Sequence, residues 1–257
     1  MNYGLYISAS GMSAQMARQD VLSNNLANVS TTAFKPDTLA IRQREPARIE
    51  DGLTFLPSNK LLERLGAGVM PVATRVSTSQ GALERTGNAL DVGIEGDGFL
   101  LVRAAPGPEG LRVTRDGRLT VSSEGRLVTA SDGFPVLDAS DNPITINPTR
   151  PLKIRSDGAV VQDDSEIARL AFVAVPEPER LVKTGSGLMA APEGQTLQRR
   201  PAAGRILQEH LEASATDAVK AMMSVTSASR AVESGATIIG YINEMMGRAI
   251  NSLGRVS

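Results

Sequence analysis

From residue 211 to residue 253 the sequence keeps one rhythm. Leu211, Ala215, Ala218, Met222, Val225, Ser229, Val232, Ala236, Ile239, Asn243, Met246, Ile250 and Leu253 follow alternating steps of four and three, and all but Ser229 and Asn243 are apolar. A repeat every 3.5 residues marks a helix whose apolar seam faces another helix along its length. At 1.5 Å per residue such a helix is roughly 60 Å long, too long to bury itself within a domain of this chain's size. The period therefore predicts a long helix within 207–257 that needs a partner. Asn243 at a seam position fixes register at some cost in stability; the competing reading is that the register drifts and Asn243 is solvated. Gly235, Gly240 and Gly247 lie inside the repeat. Each costs a helix about 1 kcal/mol relative to alanine, which makes sense where another backbone comes close or where the helix orders only on assembly. The remaining faces are rich in Ala, Ser and Thr, as in Thr226-Ser227-Ala228-Ser229. A solvated helix face normally carries charge, so this composition predicts neighbours on more than one side.

The amino-terminal end has the same character. Up to residue 33 the only charged side chains are Arg18 and Asp20. Leu5, Ala9, Met12, Met16 and Leu26 fall on a roughly helical stripe flanked by Leu22 and Val29, and Thr31, Thr32 and Pro36 end it. The pattern predicts a helix of about 25 residues followed by an extended segment.

Between these ends, residues 37–206 read as β-rich. Asp116-Gly117, Glu124-Gly125 and Asp132-Gly133 recur at a spacing of eight, with Leu119 and Val121, then Leu127 and Val128, between them. Glycine after an acidic residue supplies the positive φ of tight hairpin turns, and turns at this spacing predict a meandering antiparallel sheet. Asp157-Gly158 marks another turn; Phe99 to Val102, Ile144 to Ile146 and Leu170 to Val175 are further strand candidates. Aromatic residues are 3% of the chain and Trp is absent, so the core is aliphatic. The expected fold class is α+β: terminal helices forming an α-helical coiled-coil layer, and a central, mainly antiparallel β domain. The expected partition is 1–36, 37–206 and 207–257.

The composition argues against several chemistries. Without cysteine there is no disulfide and no thiolate metal site. His210 is the only histidine, which leaves no two-histidine metal site and one candidate for any triad. Asp91, Glu95 and Asp97 cluster beside glycines but fit the twelve-residue calcium loop poorly, and a strand followed by a tight turn explains them better. Gly93, Gly96 and Gly98 do not spell a dinucleotide fingerprint, and no phosphate-binding lysine follows. Asn28-Val29-Ser30 is a formal glycosylation sequon at a predicted helix end. A formal net charge of −1 speaks against a phosphate-driven nucleic-acid binder. No apolar run approaches a membrane span, and no cleavable secretory signal is visible. Catalysis, cofactors and metals are not expected.

Several motifs resemble one family. Asn24-Asn25-Leu26-Ala27-Asn28-Val29-Ser30-Thr31-Thr32-Ala33-Phe34-Lys35 is similar to the amino-terminal signature of flagellar basal-body rod and hook proteins, which usually have Gly where Ala33 stands. Thr86 to Phe99 resembles the family's central signature, Val113-Thr114-Arg115-Asp116-Gly117 its next strand and turn, and the surroundings of Arg230 and Glu233 its last helix. Phe34-Lys35-Pro36-Asp37 and Gly133-Phe134-Pro135-Val136-Leu137 look more like the proximal-rod type, with the distal-rod type the close alternative. Leu211-Glu212-Ala213-Ser214-Ala215-Thr216 departs from the Ser-Asn-Val wording common in relatives.

The resemblance implies a structural subunit whose ends pair in the inner helical layer of a rod, with the β domain outside it. It implies travel through the flagellar export apparatus without a Sec signal and a place in the periplasmic rod of the basal body, transmitting torque. The implied partners are copies of itself, other rod proteins and the surrounding periplasmic ring, with neither nucleic acid nor a membrane span. The assembly interface expected on the first helix is Leu5, Met12, Met16, Leu22 and Leu26. On the last helix it is Met222, Val225, Val232, Ile239, Asn243, Met246, Ile250 and Leu253. The motif residues expected to matter are Asn25, Leu26, Ala27, Asn28, Thr31, Phe34 and Lys35. A secreted adhesin with a β domain and a helical stalk is the competing reading.

Overall fold

The computed structural model describes residues 3–46 and 66–253, together with Ile49, Gly52 and Phe55. Two long helices, α1 (Tyr3–Ala27) and α2 (Ala218–Leu253), lie at the ends, with an antiparallel β region between them. The chain divides into two units. One contains residues 1–26, 37–74 and 218–257; the other contains 27–36 and 75–217.

In the helical unit α1 and α2 touch. A Cβ built on Gly235 would stand 3.4 Å from Cβ of Met12. One groove is lined by Gln15 and Arg18 together with Ser224 and Ala228, and the next by Ser8 and Met12 together with Gly235 and Ile238. Numbers rise along α1 as they fall along α2, so the two helices run antiparallel. With Met12 opposite Gly235 and equal rise in both helices, α1 reaches back only to about residue 244 of α2. The last turns of α2, up to Leu253, run on beyond it. The strands Ile41–Gln43 and Val69–Pro71 form a small antiparallel hairpin in this unit. It meets α1 where Ser10 Oγ accepts from the Val69 amide, and Gly68 is needed there because a Cβ would sit 2.0 Å from Ser10 Oγ.

Two sequence expectations change. The last helix starts at Ala218, and the residues before it are strands: Arg205–Gln208 pairs with Val92–Glu95, and His210–Glu212 with Leu83–Arg85. Leu211 therefore belongs to a sheet, where the period of four and three has no meaning. The seam also shifts. With Ala218, Ser224, Ser229, Ala231 and Gly247 half-buried beside them, the main line of α2 positions withdrawn from solvent is Ala221, Val225, Ala228, Val232, Gly235, Ile239, Ile242 and Met246. These too alternate steps of four and three. The expected seam shares Val225, Val232, Ile239 and Met246 with them, while Ala221, Ala228, Gly235 and Ile242 stand one place before the expected Met222, Ser229, Ala236 and Asn243, of which only Ser229 is itself half-buried.

In the β unit a six-stranded antiparallel sheet runs in the order Val182–Gly185, Leu188–Ala190, Leu111–Thr114, Phe99–Arg103, Phe172–Ala174, Arg200–Pro201. Phe99–Arg103 is buried on both faces. Leu100 and Val102 enter one core with Val92, Leu127, Val136 and Ile206, while Phe99 and Leu101 enter a second with Val113, Leu137 and Met189. That is the period of two expected of a strand, and burial on both sides explains its unbroken apolar run. Leu119–Val121 pairs with Leu127–Thr129 around Gly125, whose φ is 76°. Gly133 and Gly158 likewise have positive φ.

Gly117 does not follow the expected turn chemistry, since its φ is not positive. It is required by close approach: a Cβ there would lie 1.7 Å from the carbonyl oxygen of Val92. Around residues 144–146 only isolated bridges form, at Pro143 and Thr145, instead of the expected strand. Gly117→Ala should destabilise the β unit by roughly 2–4 kcal/mol through that clash. Gly107→Ala, with φ of 85° but open space around it, should cost about 1 kcal/mol. Denaturant unfolding of the two variants checks the ranking.

Candidate functional site: a buried charge cluster and an exposed helix face

Lys35, Arg115 and Glu212 meet inside the β unit. Lys35 is 4% exposed, Arg115 5% and Glu212 1%. Lys35 Nζ donates to Glu212 Oε1 at 2.7 Å and to the Ser79 carbonyl at 2.6 Å. Arg115 Nη1 donates to Glu212 Oε2 at 3.3 Å, and its other nitrogens donate to the carbonyls of Gly96 and Gly98. The Gly81 amide donates to Glu212 Oε1 at 2.7 Å. The Arg115 guanidinium also lies 5.3 Å from the centre of the Phe99 ring. Glu212 thus collects three donors, two of them cationic, in the arrangement that makes a buried carboxylate tolerable. Burial pushes the Lys35 ammonium below the ordinary lysine range; the hydrogen bond and charge of Glu212 act upward against it, and nearby Arg115 lowers it further.

The backbone around the cluster is bonded as closely as its side chains. The Ala33 amide donates to the Glu212 carbonyl at 2.7 Å, and the Ala215 amide to the Phe34 carbonyl at 3.0 Å. Ser77 donates to Pro36, and Ala213 to Ala82. Ala33 sits at φ 54°, a left-handed conformation that disfavours any side chain. That accounts physically for glycine at this place in the motif the segment resembles.

The other motif residues build local structure. Asn25 is buried, and its side chain donates to the Asp37 carbonyl at 2.8 Å and accepts from the Asp37 amide at 2.9 Å. It stands in for a strand neighbour within the helical unit. Thr31 Oγ1 donates to Asn28 Oδ1 at 3.1 Å, shaping the turn after α1. Phe34 carries the Lys183 ammonium 4.2 Å above its ring. Leu26 is half-buried and Ala27 is exposed as the final residue of α1. Asp91 is not arranged as a cation ligand: it accepts from Thr86 Oγ1 at 2.7 Å and Asn88 Nδ2 at 3.1 Å. Glu95 is held by Arg205, whose hydrogen bond keeps its carboxyl below the usual range. No group of three or more potential metal ligands occurs among the described residues.

On the helices, Leu5, Met12, Leu22 and Leu26 of α1 are half-buried and Met16 is 49% exposed. On α2, Val225, Val232, Ile239 and Met246 turn inward, whereas Met222, Asn243 and Ile250 are exposed. The side chain of Leu253 lies outside the described residues. Sequence reasoning singled out none of Val219, Met223, Ile238, Tyr241 and Met245, yet each is between 51% and 68% exposed. Glu212 was also missed, because its strand was read as helix. The signal available was the lone acid in an otherwise uncharged stretch from Leu211 to Thr216.

Comparison with known proteins adds an independent line. The family described as flagella basal body rod protein matches residues 5–35, and the one described as flagellar hook protein FlgE/F/G D1 domain matches residues 93–162. The flagellar basal-body rod protein FlgF of Caulobacter vibrioides is 32% identical over the whole of both chains. FlgF of Mesorhizobium japonicum is 28% identical over the same extent. The flagellar basal-body rod protein FlgG of Agrobacterium fabrum is 31% identical over 94% of this chain and 95% of its own.

Glu212→Gln leaves two buried cations without an anion and should cost roughly 3–5 kcal/mol. Lys35→Met leaves a balanced Arg115–Glu212 pair and should cost only about 1–3 kcal/mol. Equal losses in denaturant unfolding would contradict this account of the cluster. Ala33→Gly should leave stability unchanged or raise it by up to about 1 kcal/mol, and Ala33→Val should lower it.

Proposed function

The chain belongs to the flagellar basal-body rod proteins, and on that premise we propose that its terminal helices are the surface through which it polymerises into the rod. It is a structural subunit of the basal-body rod. Whole-length similarity to FlgF proteins favours the proximal position, with the distal-rod type, matched over slightly less of the chain, as the alternative. The relatives reported above are rod proteins, which leaves the adhesin reading without support.

The observation that carries the polymerisation reading is the outward face of α2. Val219, Met222, Met223, Ile238, Tyr241 and Met245 are between 51% and 68% exposed. Ile250, 70% exposed, continues the inward stripe past the end of α1. Large apolar side chains exposed in groups along one helix mark an interaction surface. Among the described residues, no helix lies opposite the turns of α2 beyond α1. In a tubular polymer both features would be covered by α1 and α2 of neighbouring copies and of other rod proteins, with the coiled-coil seam completed between subunits. Contact with the surrounding ring, export through the flagellar channel without a cleaved signal, and torque transmission across the periplasm belong to the same proposal. The rod role calls for no catalytic group.

A strain lacking this chain should build no hook and should not swim, and a deletion strain that still assembles a hook overturns the assignment. Complementation with Ile238→Asp or Met245→Asp should fail to restore hooks while the purified variants keep the wild-type unfolding transition of the β unit. Normal swimming with both substitutions combined would remove α2's outward face from the assembly.

A further inference from the structure

The two units are joined by four crossings of the chain, at 26/27, 36/37, 74/75 and 217/218. In the β unit each crossing lies within ten residues of a member of the buried cluster or of a backbone group bonded to it. Segment 27–36 carries two crossings and contains Lys35. The segment starting at residue 75 reaches Ser79, whose carbonyl accepts from Lys35, and then Gly81, whose amide donates to Glu212. The segment ending at residue 217 contains Glu212 itself. These three stretches are also bonded to one another through their backbones, Ala33 to Glu212, Ala215 to Phe34, Ser77 to Pro36 and Ala213 to Ala82. Arg115 then ties the bundle to the turn between strands Val92–Glu95 and Phe99–Arg103 through the carbonyls of Gly96 and Gly98.

We propose that the Lys35–Glu212–Arg115 cluster is the mechanical clamp through which load passes between the helical unit and the β unit. The proposal rests on the rod reading, since it is a rod subunit that must carry torque. Each of the four covalent connections enters the β unit beside this cluster. Shearing the three stretches apart would separate buried charges from their partners without water at hand to replace them, which makes this the stiff point of the connection. Lys35 and Glu212 act here as positioning residues: they hold chain segments and touch no ligand.

A merely structural cluster would weaken the β unit in every direction, whereas a clamp is directional. The chain contains no cysteine, so pairs of cysteines can attach handles for single-molecule pulling on the full-length protein. One pair, Arg230→Cys with Glu124→Cys, sends force through the crossing at 217/218. The other, Glu124→Cys with Glu193→Cys, loads the β unit alone. Lys35→Met should shorten the lifetime under constant force at least ~10-fold in the first geometry and leave it within about twofold in the second. Glu212→Gln should do the same more strongly; because it leaves two buried cations without an anion and endangers folding, Lys35→Met is the deciding variant. Equal shortening in both geometries, or none in either, overturns the clamp. Either result leaves the rod assignment standing, because that depends on hook formation in the deletion strain.

Discussion

Three charges from distant parts of the chain share one dry site, and much of the architecture follows from that. Removing a carboxylate, an ammonium and a guanidinium from water costs several kcal/mol each, and their mutual attraction roughly repays it only when the geometry is good. Such a cluster is therefore weak as a source of net stability and strong as a source of uniqueness. Glu212 can be satisfied only if segment 33–36, segment 79–82 and the strand His210–Glu212 all arrive in register. A slip of one residue in the pairing of His210–Glu212 with Leu83–Arg85 would turn Glu212 to the opposite face and leave two cations buried without it.

The same cluster explains why the sequence was easier to read at its ends than at its joint. The long apolar rhythm of α2 was legible because a period of 3.5 is visible over many turns. Its phase was not, because Ala221, Ala228 and Gly235, the small residues that face inward, lie beside Met222, Ser229 and Ala236. By size and hydrophobicity Met222 looks more like a core residue than Ala221 does. Close helix approach reverses that preference, since Gly235 faces Met12 with van der Waals contact already at the built Cβ. The larger apolar neighbour Met222 is left outside, 56% exposed.

The helix boundary failed for a related reason. The rhythm extended back through Ala215 and Leu211 by coincidence, because strand residues of alternating burial can satisfy a step of four. The lone acid at residue 212 stands out in its stretch, but nothing local places it in a sheet. What fixes it there is Lys35, 177 positions away in sequence, and long-range pairing of that kind leaves no periodic trace. The Gly117 case is parallel. Asp-Gly read as a turn by its local chemistry, but the constraint is the carbonyl of Val92 pressed against its Cα, a contact made by a separate strand. The turns at Gly125 and Gly133 were legible because their requirement is their own backbone conformation.

A division of labour runs through the side chains themselves. Of the methionines, only Met189 falls in the β unit, where it is 4% exposed; Met16, Met70, Met222, Met223 and Met245, all of the helical unit, are between 39% and 68% exposed. Methionine adapts its shape to the surface it meets, and an adaptable surface suits a subunit whose neighbours are not all copies of itself. The β unit makes the opposite choice, with Leu100, Leu101, Val102 and Val113 fully buried in two rigid aliphatic cores. One part of the chain thus buries its large apolar side chains and the other leaves many of them exposed. The buried charges lie within the β unit, Lys35 and Glu212 close in sequence to the chain crossings.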